Sequence, residues 1–254
     1  FYLINTSTLS NGWHTLRVYT EDMAGHGVWD SIEIFVDNAL PFVTLESPAY
    51  GEYVEGTLTI RVYAVDNGVI ESVILEINGE IYYAEYNENS GYFEYVLNTL
   101  TLSDGSYYLN VSVIDNVGNT VMVQGMFHVD NTLPSMEILA PYDGETIWGE
   151  YMLNLSASDT FFPETGAVVF QVDNNPWIWM EYGNGYWTYT LDTVLYMDGT
   201  HTITFVARDI IGHEVSITIT VVIDNNAPVL SIASPSEGQY IAVSYTHLTL
   251  PTKA

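Results

Sequence analysis

Aspartates recur along this chain at three kinds of position, and together they could bind a metal ion. One set is the middle residue of a V/I-D-N stretch that lies a few residues before a proline. The two other sets follow segments of alternating apolar residues. Hard cations such as calcium take about six to eight oxygen ligands, which carboxylates supply well. The sequence therefore predicts candidate calcium ligands at Asp37, Asp66, Asp115, Asp130, Asp159, Asp209 and Asp224.

The same aspartates also have an explanation that leaves calcium out. Asp and Asn side chains at turns hydrogen-bond to their own backbone, and this alone would place them between strands. Val113 and Ala207 stand two residues before Asp115 and Asp209, where a paired-acid calcium motif would need a second carboxylate. Calcium binding and turn formation both stay open at this point. No other cofactor is predicted.

Histidines exchange with residues that do not transfer protons, which argues against an enzyme. In the repeat described below, His14 and His201 align with Tyr107, while His213 aligns with Asn119. A hydrolytic triad needs a base, whereas exchange among His, Tyr and Asn suits hydrogen bonding. The sequence also lacks nucleophile-elbow, zinc-protease, P-loop and dinucleotide-binding motifs. We therefore predict no catalytic residues and no enzymatic activity in this segment.

Tryptophans in the stretch PWIWMEYGNGYWTYTL could stack on sugar rings. Trp187 repeats Phe93 of the preceding copy, so we expect it to face the core. Trp177 and Trp179 share one strand face and lack that explanation, which makes them candidate sugar-stacking residues. The alternative is ordinary sheet packing, since aromatic residues are favoured in any strand.

Three N-x-S/T sequons, at Asn5, Asn110 and Asn154, are candidate glycosylation sites. Chance alone produces several such triplets in a chain rich in Asn, Ser and Thr. Asn110 is predicted to lie on the outward face of its strand, where a glycan would be compatible with an external location.

All these residues sit within a long internal repeat. The stretches VDNALPFVTLESPAYGEYVEG, VDNTLPSMEILAPYDGETIWG and IDNNAPVLSIASPSEGQYIAV recur along the chain. Pro134 minus Pro41 is 93, and Pro228 minus Pro134 is 94. This period exceeds the 20 to 50 residues of solenoid and propeller repeats, so each copy should be a domain with its own core.

Each copy is predicted to be all-β. Short segments alternate between apolar and polar residues, with Gly, Pro, Asn and Asp between them about every 8 to 12 residues, as in β-sandwiches. In TLTIRVYAV, for example, Leu58, Ile60, Val62 and Ala64 share one face. We expect tandem immunoglobulin-like β-sandwiches of about seven strands each, arranged as beads on a string. In the first complete copy the predicted strands are 42–46, 57–65, 71–77, 81–86, 92–98, 106–114 and 119–129.

The motifs resemble a known family. The pattern P-x-V-x-x-x-S/A-P-x-x-G, a strand ending in A-x-D, and then D/N-G-x-Y/H-x-L-x-V-x-x-x-D-x-x-G-N/H is similar to bacterial Ig-like domains. Those domains occur in strings on prokaryotic surface and secreted proteins, so the resemblance implies spacer, adhesion or accessory roles. The segment IDNNAPVL also resembles the calcium-binding linkers of cadherins.

A ring residue supports this resemblance. Immunoglobulin sandwiches carry a corner tyrosine two residues before a core cysteine, and its hydroxyl bonds the backbone a few residues upstream. Tyr107 stands two residues before Leu109, and His14 and His201 occupy the same position in the other copies. We predict that all three rings hydrogen-bond the backbone.

The repeat divides the chain into five segments. Residues 1–38 match the C-terminal half of a module, 39–131 and 132–225 are complete modules, and 226–242 is the first strand of a further module. Residues 243–254 depart from the repeat and resemble translated adapter or cloning sequence, so we expect them to be non-native. The loop from Asp66 to Val73 is two residues longer in the second module, where FFPETG is inserted.

The charge balance excludes two partner classes. The net charge is -28, because only four residues are Lys or Arg against 32 Asp and Glu. Nucleic acid and anionic membranes are bound chiefly through Lys and Arg, so neither is an expected partner. No apolar run approaches the roughly 20 residues that span a bilayer, so this segment is not expected to insert directly into a membrane. Other cell-surface proteins or glycans remain candidate partners.

These observations favour a spacer or adhesion stalk within a larger extracellular or cell-surface protein. The alternative is a set of accessory modules, binding carbohydrate or calcium, attached to a secreted hydrolase.

Overall fold

The computed structural model describes residues 3–234, 236–240 and 242, and its regular structure is almost entirely β-strand. Single-turn 3₁₀ helices occur at Thr6–Thr8, Thr99–Thr101 and Thr193–Leu195, so no helix within the described part of the chain could cross a membrane. The strands are β1 (Gly12–Glu21), β2 (Gly27–Val36), β3 (Phe42–Ser47), β4 (Glu52–Val54), β5 (Thr57–Val65), β6 (Ile70–Ile77), β7 (Glu80–Asn87), β8 (Tyr92–Asn98), β9 (Gly105–Asp115), β10 (Thr120–Val129), β11 (Ser135–Ala140), β12 (Glu145–Ile147), β13 (Glu150–Ser158), β14 (Val168–Val172), β15 (Ile178–Trp179), β16 (Glu181–Gly183), β17 (Tyr186–Asp192), β18 (Gly199–Arg208) and β19 (Glu214–Ile223).

The first complete module is a sandwich whose two layers share one strand. β3, β5 and β8 form one layer, and β6, β9 and β10 form the other. β7 pairs with β6 through its first residues and with β8 through its last, so it crosses from one layer to the other. β4 closes one edge by pairing in parallel with β10. All other pairings in this module are antiparallel.

The second module has the same layers in fully separated form. β11, β13, β17 and β16 form one sheet, and β12, β19, β18, β14 and β15 form the other. The segment equivalent to β7 is divided here, with β15 pairing to β14 and β16 pairing to β17. Met180 lies between the two pieces and is buried in the core.

Strict alternation of side chains builds a separate core in each module. In β5, Leu58, Ile60, Val62 and Ala64 are all buried, as their shared face predicted. Trp187 on β17 is the largest fully buried side chain of the second core, which confirms its predicted position. Complete burial of one such side chain contributes about 1.5–3 kcal/mol, so each core stabilises its own module.

The N-terminal hairpin repeats part of the complete modules. β1 and β2 pair over their full length, from Gly12 with Val36 to Glu21 with Gly27. Moving Gly12 and Val36 forward by the 93-residue period gives Gly105 and Val129, the first residue of β9 and the last of β10. This hairpin therefore has the same form as the β9–β10 hairpin.

The prediction of tandem all-β Ig-like sandwiches is confirmed. The seven strands predicted in the first complete module match β3 and β5 to β10, each within one residue at either end. The sequence missed β4 and β12, because a run of three residues carries too little periodicity to be recognised.

The two predicted segments nearest the C-terminus are 226–242 and 243–254. A strand was expected within 226–242, but the described residues of that range form none. Ladder hydrogen bonds need a neighbour, and in the complete modules the neighbour of the first strand begins about 15 residues after it. The corresponding residues, together with the whole predicted tail 243–254, lie outside the described residues.

Candidate functional site

The linker between the two complete modules, residues 130–134, is anchored to the first module by Asn131. Its Oδ1 accepts hydrogen bonds from Gly56 N at 3.0 Å and Thr99 Oγ1 at 3.2 Å, and its Nδ2 donates to Thr99 O at 3.0 Å. Asn225 makes the same three bonds at the end of the second module. The asparagine of the recurrent D-N pair therefore secures the end of its own module.

The aspartate of the same pair lies in a cluster of carboxylates between the modules. Asp130 is fully buried, and one oxygen each of Asp104, Asp130 and Asp159 lie within 4.8 Å of one another. Ligand atoms of Asp130, Asp209 and His213 satisfy the same limit. Asp104 and Asp130 belong to the first module and its linker, whereas Asp159 and Asp209 belong to the second. We call these four aspartates the junction cluster.

Several oxygens of the junction cluster lack hydrogen bonds. Neither carboxylate oxygen of Asp130 has a donor among the described residues, and the same holds for the buried Oδ2 of Asp159. The buried Oδ2 of Asp209 lies 2.8 Å from His213 Nδ1. Asp104 differs, since its Oδ1 accepts from Asn131 N at 2.8 Å and its Oδ2 from Thr132 Oγ1 at 2.5 Å. A buried charged group without a partner is costly, so these oxygens form the most unusual feature of the molecule.

The electrostatics of Asp130 reflect this crowding. Burial and the nearby carboxylates of Asp159, Asp209 and Asp104 raise the pKa of Asp130 to about 6. Four acidic groups thus share one small volume, and the ionised form of Asp130 is disfavoured there unless a cation enters.

The first junction, where the N-terminal hairpin meets the first complete module, repeats this arrangement. Carboxylate oxygens of Asp37, Asp66 and Asp115 lie within 4.8 Å of one another, and the buried Oδ2 of Asp37 has no donor among the described residues. Gly68 packs against this group so closely that an added Cβ would lie 3.0 Å from Asp37 Oδ2. These three aspartates precede Asp130, Asp159 and Asp209 by 93, 93 and 94 residues.

Turn formation, the alternative explanation for the aspartates, accounts for only part of their oxygens. Asp115 Oδ1 accepts from Val117 N at 2.9 Å and Asn119 N at 2.8 Å, closing the β9–β10 turn. Asp209 Oδ1 accepts three equivalent backbone bonds. Burial acts to raise the pKa of Asp115, but the hydrogen bonds from Asn119 and the turn backbone lower it on balance. Each Oδ2 also meets its own turn, that of Asp115 accepting from Asn119 Nδ2 at 2.8 Å and that of Asp209 lying 2.8 Å from His213 Nδ1. The oxygens that turn formation leaves without donors are both oxygens of Asp130 and the Oδ2 atoms of Asp37 and Asp159.

Asp224 stands apart from the other candidate ligands. It belongs to no group of three metal-ligating side chains among the described residues, and its Oδ1 accepts from Asn226 N at 3.2 Å. At the other two junctions the linker aspartate lies close to two aspartates of the module that follows.

Sequence reasoning missed Asp104, Glu55 and His213 as junction residues. His213 Nε2 lies 2.6 Å from Glu55 Oε2, and its Nδ1 lies 2.8 Å from Asp209 Oδ2 and 3.0 Å from Thr132 O. The Glu55 hydrogen bond is the main cause that raises the pKa of His213, against the effect of burial. A usable signal for Asp104 was its in-frame match with Asn11 and Asp198.

The corner-ring prediction is confirmed in all three copies. Tyr107 Oη donates to Ser103 O at 2.8 Å, and the Nε2 atoms of His14 and His201 lie 2.7 Å from the carbonyl oxygens four residues upstream. These histidines therefore hold the sandwich corners.

The FFPETG insertion lies at the junction. Phe161 packs edge-on against Tyr53, with ring centroids 5.1 Å apart, and lies 5.2 Å from the His128 ring of the first module. Phe162 turns into its own core and meets Trp187 at 6.0 Å. Phe161 of this loop therefore contacts the first module, whereas Phe162 packs within the second.

The two candidate sugar-stacking residues line one cavity. Trp177 and Trp179 are 48% and 60% exposed and border a cavity of about 350 Å³ on the outer face of β14 and β15. Arg208 and Glu214, an ion pair, form part of its wall. The cavity therefore combines exposed aromatic faces with charged hydrogen-bonding groups.

The three sequon asparagines occupy different settings. Asn5 is exposed and caps the first 3₁₀ helix by accepting from Ser7 N. Asn110 lies on the outer face of β9, next to Glu76 and Gln124. Asn154 lies on β13, and its buried Oδ1 has no partner in the described chain.

Comparison with protein families and solved structures gives several matches. The model of a family described as bacterial Ig domain matches residues 41–111 and 134–204. Fibronectin(III)-like modules of Clostridium thermocellum CbhA are 16% identical, with coverage of 72% of this chain and 95% of that one and a TM-score of 0.40. No curated protein matches.

Two adhesin structures also match. A Ca²⁺-stabilized adhesin that helps an Antarctic bacterium bind ice is 19% identical, over 85% of this chain, with a TM-score of 0.37. A tetra-tandem repeat from the extending region of a large adhesion protein is 19% identical, over 86% of this chain, with a TM-score of 0.35. This chain spans 58% of the length of each. At such identities and TM-scores these likenesses establish no function.

Proposed function

The chain belongs to the bacterial Ig domain family, and we propose that its tandem sandwiches act as a non-catalytic spacer or adhesive stalk in a larger extracellular or cell-surface protein. The observation that carries this proposal is the interlocked junction. A stalk must transmit length and direction from one module to the next, so the contacts between modules matter more than any single pocket.

The junction supports the proposal because the modules meet through the ends of their strands. Tyr53 and His128 of the first module contact Phe161 of the second, and Glu55 contacts His213. These residues lie near the ends of β4 and β10, or in the loops that follow β13 and β18. End-to-end contact of this kind extends an array instead of folding it back.

An exposed location also suits the composition. Arg17, Arg61, Arg208 and Lys253 are the only basic residues in the sequence, so trypsin-like proteases have few cleavage sites. Arg61 and Arg208 are further tied to Glu94 and Glu214 on neighbouring strands. Under this proposal the sequons Asn5, Asn110 and Asn154 are candidate glycan attachment sites on the stalk.

Small-angle X-ray scattering from the full chain tests the stalk proposal. We expect a pair-distance distribution with the extended tail of an elongated particle, unchanged between low and moderate protein concentration. A symmetric distribution, as given by a compact particle, would contradict end-to-end stacking of the modules.

The Trp177 and Trp179 cavity favours a second candidate function, binding of a carbohydrate by an accessory module attached to a secreted hydrolase. Exposed tryptophan faces stack on sugar rings, and the Arg208–Glu214 pair offers hydrogen bonds to hydroxyl groups. Replacing both tryptophans by alanine should abolish retardation on polysaccharide columns. Replacing Trp148, which is 67% exposed elsewhere on the module, is the matched control. Equal retardation of all three proteins would dismiss this function.

A further inference from the structure

The junction cluster carries more negative charge than its surroundings neutralise. Both oxygens of Asp130 and the Oδ2 of Asp159 are buried without hydrogen-bond donors in the described chain. His213, whose Nδ1 lies 2.8 Å from Asp209 Oδ2, is one basic group against four carboxylates. Arg61 and Arg208 are engaged elsewhere by Glu94 and Glu214. Proteins retain buried charges where those charges are paired or coordinate a metal.

We infer that the junction cluster binds one divalent cation of the calcium type, held by Asp130 at its centre and by carboxylates of Asp104, Asp159 and Asp209. Two of these residues come from the first module and its linker, and two come from the second. The ion would therefore link the modules directly. Its binding does not depend on the stalk function, although stiffening of the junction would serve that function.

The donor set selects among metals. His213 is the only nitrogen ligand near the cluster among the described residues, and both of its nitrogens already face acceptors. Its Nε2 faces Glu55 Oε2, and its Nδ1 faces Asp209 Oδ2 and Thr132 O. The remaining donors are carboxylate oxygens, which favour calcium or magnesium over zinc. Carboxylates contributed by two modules give an irregular, adaptable cage, and calcium tolerates such a cage better than magnesium, which demands near-octahedral geometry.

The first junction provides an internal comparison. It has the equivalents Asp37, Asp66 and Asp115, but Asn11 stands where the second junction has Asp104. Calcium affinity rises with the number of charged ligands. We therefore expect the same ion at both junctions, bound more tightly at the second.

Calorimetric titration of the full, chelator-treated chain with calcium chloride tests the inference. Wild type should bind calcium, and Asp130→Asn should remove the tighter binding event, weakening that site by about 100-fold or more. The matched control is Asp224→Asn, which changes the repeat-equivalent aspartate outside any described cluster and should bind as wild type does. Absence of binding in wild type, or equal binding by Asp130→Asn, would overturn the inference.

Thermal melting separates a metal site from a merely protonated Asp130. Calcium should raise the melting temperature of wild type beyond the effect of sodium chloride at equal ionic strength, and should raise that of Asp130→Asn less. Asp159→Asn, a change at a less buried ligand, should show the same reduced response if Asp130→Asn folds poorly. A calcium response equal to that of sodium chloride in wild type would overturn the inference. X-ray scattering in the absence of calcium tests the stalk proposal separately, because it measures the elongation of the chain and not the binding of an ion.

Discussion

At the scale of single residues, Asn131 makes a testable contribution to stability. Its three side-chain hydrogen bonds satisfy Gly56 N and both the hydroxyl and carbonyl of Thr99. Asn131→Ala should lower the free energy of unfolding by about 2–4 kcal/mol, since each bond contributes about 1 kcal/mol and buried groups are left unpaired. Urea unfolding measures this loss. Asn89→Ala, at an exposed turn position, should change stability by less than about 0.5 kcal/mol, and similar losses in both variants would contradict the anchoring role.

His201 should make stability depend on pH. Burial acts to lower the pKa of His201, but the hydrogen bond to Asp173, 2.7 Å away, raises it on balance. The stabilisation is therefore complete at pH values below the pKa of histidine in the unfolded chain, about 6.5. It is lost as pH rises through the pKa of His201 in the folded chain. Burial likewise acts to raise the pKa of Asp173, and hydrogen bonds from Thr202 and His201 lower it. The stabilisation from Asp173 is complete above about pH 4 and is lost as pH falls through its folded pKa.

The expected result is maximal stabilisation from this pair between about pH 4 and 6.5. His201→Tyr, which installs the ring found at Tyr107, should keep the corner bond to Met197 O but lose the pH-dependent part. Melting curves at pH 6 and pH 8 should show a smaller decline for the variant than for wild type. An identical decline would show that the His201–Asp173 pair does not contribute.

Residue types predicted the roles of the corner rings and the turn hydrogen bonds of the aspartates. The in-frame exchange of His, Tyr and Asn correctly indicated hydrogen bonding for His14 and His201. The burial of Asp130 could not be predicted, because it depends on contacts between segments about 80 residues apart, such as Thr132 with His213.

At the scale of elements, the FFPETG loop distinguishes contact between modules from core packing. Phe161 meets Tyr53 and His128 of the first module, whereas Phe162 meets Trp187 of its own core. Phe162→Ala should cost the second module about 1–3 kcal/mol through lost packing, less than the roughly 3–5 kcal/mol of a core phenylalanine, because Phe162 is only partly buried. Phe161→Ala should leave that module's own stability nearly unchanged but weaken its coupling to the first module.

Denaturant unfolding followed by tryptophan fluorescence measures the first effect, because four of the six tryptophans lie in the second module and none in the first complete module. Scattering from the folded chain measures the second effect. The pair of adjacent, identical substitutions controls for residue type. Equal destabilisation by both variants would contradict the division of roles within this loop.

Strand positions followed from period-two alternation, which is a local property of the chain. The division of the β7 equivalent into β15 and β16 could not be predicted from alternation, because it arises where one segment pairs with two sheets. β4 and β12 depend on parallel pairing with distant strands, β10 and β19, and this pairing leaves little trace in three residues.

At the scale of the whole molecule, the repeat acts by controlling how modules join. In each D-N pair the asparagine secures its own module, and at both described junctions the aspartate faces the next one. The net charge of -28 also makes repulsion between modules strong at low salt, so the junctions must hold against it. The array therefore keeps its direction only if the junction between modules is fixed.

Single-molecule energy transfer across both modules measures whether the second junction is fixed. The sequence has no cysteine, so dyes can be attached cleanly to Glu88→Cys, in the turn between β7 and β8, and Val194→Cys, in the exposed 3₁₀ turn of the second module. These positions lie at opposite ends of the module pair, because β7 runs toward the first junction and β17 away from the second. We predict a single narrow population of low transfer efficiency. A broad distribution, or a compact population of high efficiency, would contradict a fixed end-to-end junction.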